Sequence, residues 1–147
     1  MPNEAIQLES IPYGKLGLVT HESIAPLGKK VDDYLVKWRS KRQQAHINDV
    51  AFNGYQRDTY LIKHSLPRFG DGEAKGTIKQ TVRGDDIFIM ADITNHSLTY
   101  KICGETNHMS PDDIWCDIKR VISRTDRKYE TSVHYIINAQ KIFSISL

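Results

Sequence analysis

Apolar positions along this chain follow two periods, and the switches between them mark out its elements. Lys15 to Thr20 holds Leu16, Leu18 and Val19 in a short run with glycines close by, the signature of a strand. Ser23 is suited to cap the helix that follows. Ile24, Leu27, Val31, Tyr34, Leu35 and Trp38 recur at spacings of three, four, three, one and three, which predicts an amphipathic helix with one apolar stripe turned inward. The pattern weakens from Arg42 to Asp58, a surface connection with room for a short strand at Val50 to Phe52. Tyr60 to Lys63 reads as a further strand, and Pro67 ends regular pairing because proline has no N–H to give a ladder.

Glu73 to Val82 alternates. Ala74, Gly76, Ile78 and Gln80 share one side, and Lys75, Thr77, Lys79 and Thr81 share the other, as in a half-exposed strand. Arg83-Gly84-Asp85-Asp86 reads as a turn. Ile87 to Ala91 is apolar on both faces, which fits a central parallel strand covered by helices. A polar stretch rich in Asn, His and Thr separates it from Ser110-Pro111-Asp112-Asp113, a helix start with a capping serine, a first-turn proline and two carboxylates at the positive helix end. Ile114, Ile118, Val121 and Ile122 then form an inward stripe bordered by Trp115. Val133 to Ile137 is a last candidate strand. Strands alternating with helices define the α/β class.

Composition narrows the function classes. The 147 residues suit one domain, and 20 basic against 18 acidic side chains, mixed along the chain, provide no field for nucleic acid or an anionic membrane. The densest basic run, Lys37, Arg39, Lys41 and Arg42, ends the first helix, where cations oppose its negative pole. Phosphate binding is the other use of such a run. Two cysteines, Cys103 and Cys116, make no disulfide framework and point to reduced thiols. Residues 1–10 lack the charged start and apolar middle of a secretory leader, and no apolar run reaches the ~20 residues of a membrane span. A soluble cytoplasmic protein is expected.

Catalytic motifs are scarce. The six histidines show no zinc-binding spacing, and no phosphate-cradling glycine motif or nucleophile elbow occurs. One loop differs. Arg68-Phe69-Gly70-Asp71-Gly72-Glu73 sets an aromatic ring, two glycines and two carboxylates between strands. A purine needs a flat apolar surface and an acceptor for its exocyclic amine, which phenylalanine and a carboxylate supply. The plain alternative is a glycine-assisted turn with Phe69 in the core.

Phe69-Gly70-Asp71-Gly72-Glu73, followed by Val82-Arg83-Gly84-Asp85-Asp86 and the buried strand, resembles the ribose-phosphate pyrophosphokinases (phosphoribosyl pyrophosphate synthetases). The resemblance covers residues 15 to 124, weakest between 40 and 60. It implies a phosphoribosyltransferase-like N-terminal domain over residues 1–124, incomplete, with residues 125–147 a tail that departs from the family. It also implies transfer of pyrophosphate from Mg-ATP to ribose 5-phosphate, in nucleotide biosynthesis. By that resemblance Phe69 stacks on adenine, Asp71 and Glu73 bond its edge, and the loop reaches into a neighbouring subunit. Thr81 and Arg83 match positions bordering a regulatory phosphate site, although Arg83 also suits a salt bridge to Asp85 or Asp86.

The family's Mg2+-binding histidine, cationic flexible loop and ribose-phosphate loop find no match here, so the chain alone is expected to be inactive. Its expected partners are ATP, ribose 5-phosphate only within a complete enzyme, and further copies of itself or a full-length synthetase in an oligomer. The alternative is a non-catalytic nucleotide-binding or regulatory module that co-assembles with a complete synthetase.

Overall fold

The computed structural model describes residues 14–44, 57–125, 132–138 and 142–143. Its central sheet has the order β1-β4-β7-β8, with β1 (Lys15–Thr20), β4 (Asp85–Ala91) and β7 (Ser132–Asn138) parallel and β8 (Ile142–Phe143) antiparallel at one edge. Between β1 and β4 lie a short 3-10 turn (Glu22–Ile24), helix α1 (Ala25–Gln44) and the hairpin strands β2 (His64–Ser65) and β3 (Thr77–Ile78). Between β4 and β7 lie the hairpin strands β5 (Thr99–Ile102) and β6 (Glu105–His108), then α2 (Pro111–Thr125).

Alternation along the strands builds two cores. Val19, Ile87, Ile89 and Ala91 point to one face, where Ile114, Ile118 and Val121 of α2 cover them. Leu18 and Met90 point to the other, against Ile24, Tyr60 and the inner side of α1. A strand buried on both faces needs a near-continuous apolar run, and β4 supplies it, as expected. The α/β class and the strands at Lys15 to Thr20 and Val133 to Ile137 are likewise observed. Tyr60 to Ile62 runs extended along the outer edge of β1: the Leu18 N–H donates to the Tyr60 carbonyl at 2.7 Å, and the Ile62 N–H donates to the Leu18 carbonyl at 2.8 Å. Only a single bridge, Leu18 to Leu61, forms there, so the strand expected at Tyr60 to Lys63 is an edge cover.

Helix α1 departs from its predicted stripe. Its packed side carries Gly28, Val31, Asp32, Leu35 and Val36, whereas Leu27, Trp38 and the 66% exposed Tyr34 face outward. The reason lies at Asp32, which is 0% exposed. Its carboxylate accepts from the Tyr60 N–H at 2.7 Å and the Thr59 hydroxyl at 2.8 Å, with Lys29 Nζ at 3.5 Å. Those bonds tie the helix to the edge segment and turn the larger apolar side chains out. The approach to α1 is a 3-10 turn that includes Ser23 and is itself capped by His21, whose ring accepts the Ser23 N–H at 3.1 Å.

Other expectations shift in detail. Asp85 and Asp86 belong to β4, and the turn is Arg83-Gly84, with Gly84 at φ 72° and the Asp85 N–H returning to the Val82 carbonyl. The alternation from Ala74 to Val82 is real, although regular pairing is confined to β3 and a bridge from Arg68 to Ala74, and Gln80 is exposed. The polar stretch after β4 folds into β5 and β6, turning at Cys103-Gly104 with both residues at positive φ. The strand expected at Val50 to Phe52 lies outside the described residues.

Asp32→Ala leaves the buried Tyr60 N–H without its acceptor. Chemical denaturation is expected to show a loss of about 1–3 kcal/mol, the usual penalty for a stranded buried donor.

Candidate functional site

The loop singled out from sequence is the tip of the β2–β3 hairpin. The Phe69 N–H donates to the Glu73 carbonyl at 2.7 Å, and the Gly72 N–H returns to the Phe69 carbonyl at 3.0 Å. Gly72 takes φ 88°, a conformation that favours glycine. Asp71 Oδ1 accepts the Glu73 N–H at 3.0 Å and closes an Asx turn. A ring at such a tip has two destinations, core or solvent. Phe69 is 51% exposed and belongs to neither core. The Asp71 and Glu73 side chains are exposed on the same tip. The structure therefore brings Phe69, Asp71 and Glu73 together on one accessible loop.

Thr81 and Arg83 are elsewhere. They are exposed in the segment entering β4, at its N-terminal end. His21 and Asp92 follow the opposite, C-terminal ends of β1 and β4. The seven residues of β4 set those ends roughly 20 Å apart at about 3.3 Å per residue. The two groups of candidates do not form one site within this chain.

Beneath the tip lies a polar cluster that motif reading missed. Asp117 of α2 is 2% exposed, yet its carboxylate holds two guanidinium groups: Arg68 Nη2 at 3.0 Å and Arg120 Nη1 at 2.8 Å. Arg68 Nη1 lies 3.6 Å from Asp113 and donates to the Gly72 carbonyl at 3.3 Å, while its guanidinium stacks 4.4 Å over the Tyr100 ring. Arg120 Nη2 stands 3.8 Å from Glu73. Buried His21 completes the group. Its Nδ1 accepts the Ser23 N–H, which leaves the ring proton on Nε2, 3.5 Å from Asp117 Oδ2. A cleft of about 460 Å³ opens beside this cluster, lined by Thr20, His21, His64, Ser65, Arg68, Tyr100 and Asp117 among others. It lies beyond the carboxyl end of β1, where open α/β sheets generally receive ligands.

Local sequence explains why the cluster forms. Ser110 caps α2 through its hydroxyl, 3.2 Å from the Asp113 N–H, and Asp113 reaches back to the Ser110 N–H at 2.9 Å, a reciprocal capping box. Burial pushes the Asp113 carboxyl up, but the Ser110 N–H and hydroxyl and the nearby Arg68 and Arg120 outweigh it and hold it below the ordinary carboxylate value. Gly76 lets the hairpin lie against α2, since a Cβ there would stand 2.7 Å from the Arg120 carbonyl oxygen. Asp117 was visible in one respect: it falls three residues after Ile114 and four before Val121, on the stripe that packs inward. A carboxylate in that register needs cations nearby.

These features define a three-layer α/β domain with a presented aromatic loop at the carboxyl end of its sheet. A family model, the N-terminal domain of ribose phosphate pyrophosphokinase, matches residues 16–139 and so includes β7. The chain belongs to the ribose phosphate pyrophosphokinase family, through that N-terminal domain. Searches of the curated proteins and of the solved structures returned no significant match.

Because the Asp113 value is depressed on folding, its contribution is complete above the unfolded carboxylate value near pH ~4 and is lost as pH falls through the lower folded value. Asp113→Ala is expected to cost about 1 kcal/mol at neutral pH and to flatten the acid limb of a stability–pH profile, read by thermal melts at stepped pH.

Proposed function

We propose that this chain contributes the adenine-binding loop for the family's reaction, the transfer of pyrophosphate from ATP to ribose 5-phosphate in nucleotide biosynthesis. The observation that carries the reading is the half-exposed Phe69 ring, held on a hydrogen-bonded tip with two accessible carboxylates beside it. A phenyl face supplies stacking worth about 0.5–1.5 kcal/mol beyond burial. Asp71 and Glu73 supply acceptors for an exocyclic amine; both face solvent, and Glu73 also stands 3.8 Å from Arg120.

The same reading makes the fold a phosphoribosyltransferase-type domain and the working assembly a cytoplasmic oligomer in which the loop serves a neighbouring subunit. Thr81 and Arg83, at the far end of β4, would serve a separate regulatory phosphate. Phosphoryl-group transfer relies on metal and cationic groups placed around the moving phosphates. Magnesium held with a nucleotide would lean on its phosphates and waters and on one or two carboxylates. On this reading the transfer itself is expected to need groups from a complete synthetase.

A second reading, a regulatory module that co-assembles with a full-length synthetase, draws support from α1. Leu27, Tyr34 and Trp38 present an exposed apolar ridge at spacings of seven and four, the kind of surface that another subunit covers.

Titration of the purified chain with ATP, followed calorimetrically, is expected to show weak binding that Phe69→Ala abolishes without changing the melting temperature, since the ring packs in neither core. Equal binding by the wild type and the variant would refute the adenine assignment. Formation of phosphoribosyl pyrophosphate by the chain alone would refute the expectation that it needs a complete synthetase.

A further inference from the structure

The Phe69 loop has few internal restraints. Two backbone hydrogen bonds and one Asx turn close it, and Gly70 and Gly72 permit many other shapes. An exposed ring on a loop of that kind would lose much of its stacking energy in being ordered by the ligand. What holds it from below is the side chain next to it in sequence. Arg68 pairs with Ala74 in a single bridge just before the tip and Phe69 follows it; the Arg68 side chain is 11% exposed and turned inward, whereas Phe69 is 51% exposed.

We propose that Arg68 is the positioning residue of the Phe69 loop, setting the direction in which the ring is presented. The inference rests on the adenine reading for its purpose but not for its geometry. The guanidinium is well suited to this because its five donors lie in one plane. One edge meets Asp117 at 3.0 Å, another approaches Asp113 at 3.6 Å and the Gly72 carbonyl at 3.3 Å, and the flat face covers Tyr100 at 4.4 Å. A single side chain thus links the tip to α2, to β5 and to the loop's own far limb. The Cys103 N–H, donating to the Gly70 carbonyl at 3.4 Å, fixes the tip to the β5–β6 turn from the other side. Arg68 touches no ligand in this scheme and acts only through the loop.

The test compares Arg68→Lys, Tyr100→Leu and Phe69→Ala by residue-resolved amide exchange and by calorimetric titration with ATP. Lysine keeps the charge but cannot engage Asp117, Asp113 and the Gly72 carbonyl at once, so it should not rescue. Arg68→Lys is expected to speed exchange at the Phe69, Gly72 and Cys103 amides by about tenfold or more while the β4 amides keep their protection. ATP affinity should fall by about three- to tenfold, as expected when an ordered loop must be ordered by its ligand. Tyr100→Leu takes away the ring beneath the guanidinium but keeps an apolar side chain against the core. It should give the same pattern more weakly, with the β4 amides as the control for core damage, and it decides the matter if Arg68→Lys does not fold. Unchanged protection of the loop amides in both variants would overturn the proposal. Phe69→Ala should leave those amides protected. If Phe69→Ala also leaves ATP affinity unchanged, the adenine reading fails, and the amide comparison still decides whether Arg68 positions the loop.

Discussion

A single buried carboxylate, Asp117, organises the upper end of this domain. A lone charge at 2% exposure would cost several kcal/mol in desolvation, so its presence on the inward face of α2 obliges the fold to bring cations to it. Two arrive from different directions: Arg120 from the next turn of the same helix, and Arg68 from the hairpin forty-nine residues earlier. His21, at the end of β1, approaches the same oxygen as Arg68. The sheet, the hairpin and the helix therefore share one electrostatic requirement. The packing of β2–β3 on α2 follows from it, helped by the close approach allowed at Gly76 and by the Arg124 side chain donating to the Gly76 carbonyl at 3.1 Å.

Asp32 plays a comparable part at the other face. Its bonds to Thr59 and Tyr60 join α1 to the segment covering the edge of β1. That edge would otherwise offer unpaired N–H and C=O groups to another chain. In both helices a carboxylate sits within the apolar register and draws in a segment distant in sequence, through backbone at Tyr60 and through a side chain at Arg68. Hydrophobic burial packs each helix onto the sheet, and the carboxylate then selects its rotation and neighbour. This explains why α1 leaves Tyr34 and Trp38 outside: a rotation that buried them would draw Asp32 away from the Tyr60 N–H.

The elements that could be read from the chain are those whose period matches a one-sided or two-sided burial. β4 is apolar on both faces because helices cover both, and α2 carries a capping box followed by a clean stripe. The family resemblance rested on the loop at Phe69 and the turn at Arg83, and the match over residues 16–139 supports it. The failures have physical causes. The helix α1 stripe mixed Leu27, Tyr34 and Trp38 with Val31 and Leu35, and hydrophobicity by itself does not say which side a buried acid will claim. The β5–β6 hairpin hides in a polar stretch because neither strand is buried on a full face, so alternation is weak; its one sign was Cys103-Gly104 at the turn. The Asp117 cluster was missed because its members are spread from residue 21 to residue 120, and no local motif joins them.

The site's chemistry follows from this division between what is buried and what is shown. In the hairpin, Arg68 satisfies the interior and Phe69 is left to the exterior, so the loop's shape is bound to the stability of the core beneath it. An adenine ring laid on Phe69 would meet one apolar face and two carboxylates, enough to orient a base but not to hold a triphosphate, because both acids repel its charge. Under the adenine reading proposed above, the phosphates would be neutralised by cations beyond this tip. Arg68 and Arg120, beneath the tip, are already committed to Asp117. A loop built this way suits a shared site, in which one surface recognises the base and another carries the phosphates.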